Sequence, residues 1–485
     1  MAEKEFAQSL TPKSQDFSQW YVEVVRKAGL ADYTVIKGCM VIRPYGYALW
    51  ENMRDALDGR LKATGHENAY FPLFVPESLL RLEAEHVEGF APECAWVTYA
   101  GNDELEERLA IRPTSEAIIG SVYAKWIQSY RDLPLLINQW CNVVRWEKRT
   151  RLFLRTSEFL WQEGHTCHRT YEEAQEETLK ILEIYREFIE TELALPVIVG
   201  QKSESEKFAG AQTTYTVEAL MADGLALQAG TSHNLGQHFA KVFNIKYLDE
   251  DNVEKYVWQT SWGVSTRLVG GVVMAHGDDS GLILPPRVAP CQVIVIPIYT
   301  TKNRAEVLET ASGLHAALVE EGIRARIDLD ETKSPGWKYN EWDLRGVPLR
   351  LEIGPKDIAK NQVCLARRDI AERAQKKLFI GRDAMRETVR RLLGEIHTAM
   401  FERAREFRDR NTHSVSNYEQ LREIMKTRRG FAVGPWAGTT ADEARIKEET
   451  KATLRCLPLE QSDSAGPCFF TGRPAGQTAY FARAY

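Results

Sequence analysis

From Ser14 to Leu30 apolar residues recur at helical spacing, with Phe17, Trp20, Tyr21 and Val24 on one side, which predicts an amphipathic helix. The run "GCMVIRPYGYALWENMRDAL" passes from a β-rich stretch through Pro44 into a second such helix. Proline has no N–H to donate, so it suits a strand exit or a first helical turn. "AYFPLFVP", "RLAIRP", "LLINQWCNVVRWE", "LRTSEFLW", "TTYTVEAL" and "GLALQAGT" read as strands bounded by charged or Gly/Pro turns. With few βαβ alternations among them, they predict a largely antiparallel sheet with helices on one face. After the paired prolines of "GLILPPRVAP" the pattern changes. Strands "QVIVIPIY", "IRARIDLD", "PLRLEIGP" and "QVCLARRD" alternate with helices, the last a long charged one from Arg382 to Arg410, which predicts a small α/β domain. The remainder holds a helix, the strand-like "RGFAVGPW" and a Gly/Pro-rich end. The expected fold class is α/β, with an α+β first domain over 1–288, an α/β domain over 289–410 and a small α/β module over 411–485.

Two or three domains also fit the length of 485 residues. Composition, at 44% hydrophobic and 27% charged, is that of a globular rather than a disordered chain. The opening "MAEKEFAQSLTPKSQDF" has no signal-peptide core, and runs such as "CQVIVIPIY" are too short to span a membrane. Eight scattered cysteines without a close C-x-x-C pair fit a reducing compartment. We therefore expect a cytoplasmic protein without a membrane partner. A formal net charge of −6 argues against a uniformly basic nucleic-acid coat, though not against a local groove.

Against that acidic background one hairpin stands out. Between two strand-like runs it carries Arg145, Lys148, Arg149, Arg151 and Arg155 against the single acid Glu147. The chain has neither a G-x-x-x-x-G-K-[ST] loop nor an early G-x-G-x-x-G. Fixed guanidinium forks can hold a triphosphate without such a loop, because they match phosphate oxygens bidentately and stay charged when partly desolvated. Arg145, Arg155 and Arg267, each in or beside an apolar run, are the candidates. The competing explanation is a structural bridge from Arg145 to Glu147 or Glu158. In "IRPTSEAIIG", Thr114 and Glu116 open an apolar helix, either as a cap or as a polar clamp for a ligand ammonium. In "QAGTSHNLGQHF", Gln228, Thr231 and His233 follow a strand of small residues that would let a ligand approach the backbone. His233 and His238 lack the companions a zinc site needs.

Taken in order, these segments resemble the class II aminoacyl-tRNA synthetases, and within them the prolyl-tRNA synthetases of the archaeal/eukaryotic-like form. "GCMVIRPYGYALWENM" resembles motif 1, with Pro44 as its proline. The arginine-rich hairpin resembles motif 2, and "SWGVSTRLVGGVVMAHGDDSGLILPP" resembles motif 3 with Arg267. "RPTSE" and "QAGTSH" extend the match, which runs from "SQDFSQWY" to "FARAY".

The resemblance implies a proline–tRNA ligase reaction with ATP and magnesium, and L-proline and tRNA(Pro) as partners, with no DNA. Arg145 would bridge the prolyl carboxylate and the α-phosphate, with Arg155 and Arg267 on the outer phosphates. Glu147 would position the adenine amino group, and Phe159 would stack under the ring. Thr156, Gln228 and Thr231 would also bind nucleotide. Thr114, Glu116 and His233 would shape the proline pocket. Only ordinary secondary structure is expected in the segment 167–260, which leaves no room for the editing insertion of bacterial-type relatives. Alanine or cysteine should then enter at low frequency, because rejecting a slightly smaller apolar group gains only about 1–3 kcal/mol. The resemblance also implies a homodimer through motif 1, and Asp343, Arg350 and Lys356 as anticodon readers of guanine edges. For those three, a solvated helix and edge strand is the plainer alternative. Many relatives hold zinc with four cysteines in the last module. The matching positions here are Ala437, Asp442, Cys468 and Thr471, with Cys456 outside the quartet, so no structural zinc is expected. Tyr485 is expected to tuck back toward the catalytic domain. A catalytically silent paralogue and a plain RNA-binding module remain the alternatives.

Overall fold

The computed structural model describes residues 10–86, 94–461 and 466–485. An eleven-stranded sheet runs through most of the chain. From one edge to the other its strands are Thr412–Ser414, Phe431–Trp436, Gln477–Ala482, Thr453–Pro458, Val197–Gln201, Thr213–Leu220, Ala226–Gly236, Trp258–Ser265, Glu158–His168, Leu135–Val144 and Glu67–Asn68. Only the two outermost pairs are parallel. The third segment of the chain therefore has no separate main sheet. Its strand Thr453–Pro458 pairs with Val197–Gln201, Leu457 opposite Gln201, and so extends the sheet of the first segment.

Helices cover one face of this sheet. The helix Tyr171–Leu193 packs across its centre, burying Ile181, Tyr185, Phe188 and Ile189 with Val217, Leu227 and Trp262 in one core. Thr170 caps it, accepting from the Glu173 amide, and Ala194 ends it in the left-handed region at φ 52°. The first predicted helix spans Phe17–Lys27 and buries Trp20, Tyr21 and Val24 as its periodicity requires. Pro44 opens the second, Pro44–Ala63. Two residues on, Gly46 lies against the Leu30 carbonyl, and a Cβ there would come within 2.1 Å of that oxygen.

The second domain has its own sheet, in the order Ala325–Ile327, Val293–Pro297, Leu349–Ile353, Gln362–Arg367 and Lys377–Gly381. Its first three strands are parallel, and the helices Arg304–Glu320 and Met385–Arg410 bury Val307, Leu318, Val389 and Ile396 against it. The first domain is tied to it by Arg368, whose fork meets both oxygens of Asp278 at 2.8 and 2.6 Å. No helix among the described residues is long and apolar enough to cross a membrane.

Candidate active site

On the face of the sheet away from the long helix lies a cavity of about 310 Å³. A smaller one of about 60 Å³ adjoins it, and Arg145, Phe159, Ser265 and Arg267 line both. Sheet register explains the convergence. The strands Glu158–His168, Trp258–Ser265 and Ala226–Gly236 are neighbours, and alternate side chains of each rise on the same face.

Arg145 follows directly on the strand Leu135–Val144 and points into the cavity. Neither Glu147 nor Glu158 pairs with it among the described residues: Glu158 accepts instead from Asn142 Nδ2 at 2.9 Å. Arg145 Nε donates to the Pro113 carbonyl at 2.9 Å, and its guanidinium lies 5.6 Å from the Phe159 ring and 5.4 Å from Trp161. The structural bridge is absent, and the rest of the fork is open to the cavity. Enclosure by protein draws its pKa below the usual arginine value, against the fields of Glu116, Glu163 and Glu147. Arg267 is drawn down to about 10, first by burial and then by Arg155 and Arg145. Repulsion of this kind at Arg267 favours a bound anion.

Arg155 departs from its expected position. It lies on the turn, not in the return strand, which begins at Glu158. Leu152, Phe153 and Leu154 are all buried in a tight turn closed by the pairing of Arg151 with Arg155, and Phe153 adopts φ 61°. Arg155 still lines the smaller cavity with Glu147 and Thr156, whose hydroxyl donates to the Glu158 carbonyl at 2.7 Å.

At the other end of the larger cavity, Thr114 and Glu116 are brought together, the hydroxyl donating to the carboxylate. The cap reading fails, because Ser115 holds the N-cap position and Thr114 bonds the Glu116 side chain, not the helix backbone. Gln228, Thr231 and His233 line the cavity from within the strand Ala226–Gly236, not after it. Neighbouring Gly230 is small for a reason other than ligand approach. A Cβ there would meet Val264 Cγ1 at 2.9 Å and Tyr185 at 3.2 Å. His233 shares a hydrogen bond with Thr214 Oγ1 at 2.9 Å and lies under Phe208, ring centres 4.8 Å apart. Burial, then the charge of His165, pushes its pKa down to about 3.

Several lining residues escaped the sequence reading. Glu163 and His165 form a buried pair at 3.0 Å, with Gln139 Nε2 donating to Glu163 at 2.9 Å. Burial opposes both charges, yet the pair's hydrogen bond and the field of Glu116 lift His165 above its ordinary value, and the same bond holds Glu163 below its own. Trp161, Lys202 and Phe208 complete the walls. The signal available for Glu163 and His165 was polarity in the wrong place, since "QEGHTCH" is buried at every position of its strand.

In the second domain Asp343 and Arg350 meet at 3.0 Å, and Lys356 stands apart, exposed on the short helix Pro355–Ala359. Arg350 also pairs with Glu352 at 3.0 Å and stacks 4.0 Å from the Tyr339 ring. Lys376 and Lys377 bind the second oxygens of Asp343 and Glu352. In the last module Asp442 accepts from the Thr439 amide and hydroxyl at 2.7 and 2.9 Å and faces Arg473 at 3.5 Å. Arg473 also reaches the Ala437 carbonyl at 2.8 Å, and the Thr471 amide approaches Cys468 Sγ at 3.5 Å. One thiol and one capping carboxylate do not fit a closed tetrahedral zinc site. Cys456 points elsewhere, buried beside Gly200. Tyr485 does return to the catalytic domain. Its amide bonds the Ala226 carbonyl at 3.1 Å, its hydroxyl bonds Asp223 at 2.6 Å, and Arg151 lies 5.6 Å from its ring.

An antiparallel sheet with arginines at the ends and turns of its strands around a joined pair of cavities is the core of a class II aminoacyl-tRNA synthetase, and residues 96–276 match the tRNA synthetase class II core domain (G, H, P, S and T). Residues 292–390 match the anticodon binding domain, and residues 418–485 the prolyl-tRNA synthetase C-terminal domain. The chain is 56% identical over 484 residues to a proline--tRNA ligase of Natranaerobius thermophilus, covering 99% of each chain. It is 58% identical over 481 residues to that of Rubrobacter xylanophilus, covering 99% of this chain and 100% of the relative. With "Proline--tRNA ligase 2" of Bacillus cereus the identity is 54% over 482 residues, again covering 99% of this chain and 100% of the relative. The chain belongs to the proline--tRNA ligase family.

Proposed function

We propose that this chain joins L-proline to tRNA(Pro) in two steps, and that the two cavities meeting at Arg145 divide the first step between them. The larger takes proline between Thr114, Glu116 and His233, with Glu116 meeting the secondary ammonium. A His233 ring kept neutral adds no competing positive charge. The smaller, with Glu147, Thr156 and Phe159, takes adenine, while Gln228 and Thr231 hold the nucleotide from the sheet. A prolyl carboxylate oxygen attacks the α-phosphorus of ATP, the bond to the β-phosphate oxygen breaks, and pyrophosphate leaves. Arg145, Arg155 and Arg267 stabilise the charge that builds on the phosphates, so no nucleophilic side chain is needed. Magnesium enters with ATP. The terminal ribose hydroxyl of the tRNA then attacks the prolyl carbonyl, and AMP leaves.

The archaeal/eukaryotic-like form, without an editing domain, belongs to this reading. Residues 158–265 form strands, the helices Tyr171–Leu193 and His238–Val242, and the connections between them. Low-level activation of alanine or cysteine follows from it. Asp343 and Arg350, with Lys356 nearby in sequence, serve as anticodon readers. A homodimer through motif 1 is supported by the apolar hairpin before Pro44, where Tyr33, Val35, Ile36 and Val41 are exposed. ATP–pyrophosphate exchange with each of the twenty amino acids tests the central claim. Proline should support it best. Exchange with none would remove the enzymatic reading, and a strong preference for another amino acid would change the substrate. Light scattering should give the mass of a dimer at micromolar concentration.

A further inference from the structure

Beside the larger cavity Glu218 is fully buried on the strand Thr213–Leu220 and carries two cations. Lys202 Nζ lies 2.9 Å from Oε1. Arg455, from the C-terminal strand Thr453–Pro458, spans both oxygens, with Nε at 3.0 Å from Oε2 and Nη2 at 3.1 and 3.0 Å from Oε1 and Oε2. Lys202 is 4% exposed and Arg455 6%. One carboxylate facing two cations leaves one positive charge over. A buried surplus is costly unless another anion meets it. No second carboxylate reaches either cation among the described residues, and the remaining Arg455 bond goes to the Thr453 hydroxyl at 2.9 Å. Lys202 does open onto the cavity, alongside Gln228 and Arg267, and Glu218 stands opposite Gln228 in the sheet register. An ammonium has three donors, and Glu218 engages one of them.

An independent observation comes from the loop that carries the lysine. Ser203 and Ser205 both donate to Glu443 of the C-terminal helix Thr440–Thr450, the first at 2.7 Å. One helical turn further, Lys447 lies 3.8 Å from Glu206, another cavity residue. The last module grips this wall of the site from several sides.

We propose that Lys202 is a further ligand of the ATP polyphosphate, and that Arg455 is its positioning residue, supplied by the C-terminal module. By occupying both oxygens of Glu218, Arg455 leaves the lysine charge available to the incoming phosphates. This rests on the ATP reading above.

Pyrophosphate exchange separates the two claims. Lys202→Met should raise KM for ATP about tenfold, the value of one charge-assisted hydrogen bond, and leave KM for proline within twofold. Lys202→Arg should fall between wild type and Lys202→Met. Arg455→Met should raise KM for ATP less, Arg455→Lys should restore it, and Arg455→Met should add almost nothing once Lys202 is already methionine. Lys202→Met leaves Glu218 and Arg455 as a one-to-one pair, so it should fold; Lys202→Gln, read by the same ratio, is the second variant if it does not. An unchanged KM for ATP in a folded Lys202 variant, beside an active wild type, overturns this proposal alone. Equal losses in both KM values, or additive effects in the double variant, also overturn it. A wild type without any exchange removes the ATP reading itself.

Discussion

Arg145 and Arg350 are chemically the same side chain held in opposite ways. Arg145 stands open to a cavity with one carbonyl as its hydrogen-bond acceptor and two aromatic rings as walls. Arg350 is sealed, with a carboxylate on either side and a tyrosine ring against it, and each carboxylate holds a lysine as well. The first arrangement leaves binding capacity unspent inside the protein. The second spends it on shape, so a base that pairs with Asp343 or Arg350 must exchange for an existing partner. Discrimination by exchange is a difference between two bonded states, which suits reading; charge stabilisation by an open fork suits catalysis.

Alanine at each position should break the comparison in opposite ways. Arg145→Ala should lower pyrophosphate exchange by about a hundredfold or more, as removal of a transition-state donor does. It should leave the melting temperature nearly unchanged. Arg350→Ala should leave exchange without tRNA within twofold, and lower charging through weaker use of tRNA. It should also lower the melting temperature, because breaking a buried pair costs about 3–5 kcal/mol, an upper figure here since Lys376 and Lys377 stay on the carboxylates. Matching losses in both assays for both variants would mean the two regions do not divide the work.

A smaller effect sharpens the boundary between open and committed charges inside the first site. His165 is raised, so its contribution to stability is complete below the ordinary histidine value of 6.5 and is lost as pH rises through its raised value. Glu163 is lowered, so its contribution is complete above 4.5 and is lost as pH falls through its lowered value. The pair is fully effective between those values. Proton NMR of the imidazoles should show His165 titrating above 6.5 and, in Glu163→Gln, shifting to lower pH. His233 should stay neutral from pH 8 down to about pH 3; a midpoint near 6 for His233 would refute the burial argument.

The smallest effect is expected in the last module. Prolonged chelation should leave its melting unchanged, and metal analysis should find well under one zinc per chain. Arg473, which contacts Ala437 and Asp442, already places a cation among the matched positions. One tightly held zinc bound through Cys456 and Cys468 would reverse this assignment.

Elements with clean periodicity were legible in the sequence. The helix Phe17–Lys27, the proline-led helix Pro44–Ala63 and the α/β alternation after residue 288 all follow from spacing. Arg155 was displaced from the strand because three successive buried apolar residues in "RLFLR" close a turn, and a turn buried on all sides carries no alternation. Glu163 and His165 were hidden in the stretch 162–168 of their strand, which is buried at every position, so the period-2 signal vanishes there. Pairing of residues near 200 with residues near 457 leaves no trace in local pattern, since register between distant strands is set by contacts that no window spans.

That long-range pairing also sets a timetable. While the chain is being made, the strand Val197–Gln201 can find Thr213–Leu220 within seconds, but its other edge stays bare until Thr453–Pro458 emerges. At about 5–20 residues per second the wait is roughly 10–50 s. A bare edge is a template for wrong pairing, so this interval is when the nascent chain most needs shielding. A chain halted before Arg455 would carry every motif of the catalytic domain and still lack one wall of the sheet that holds them in register.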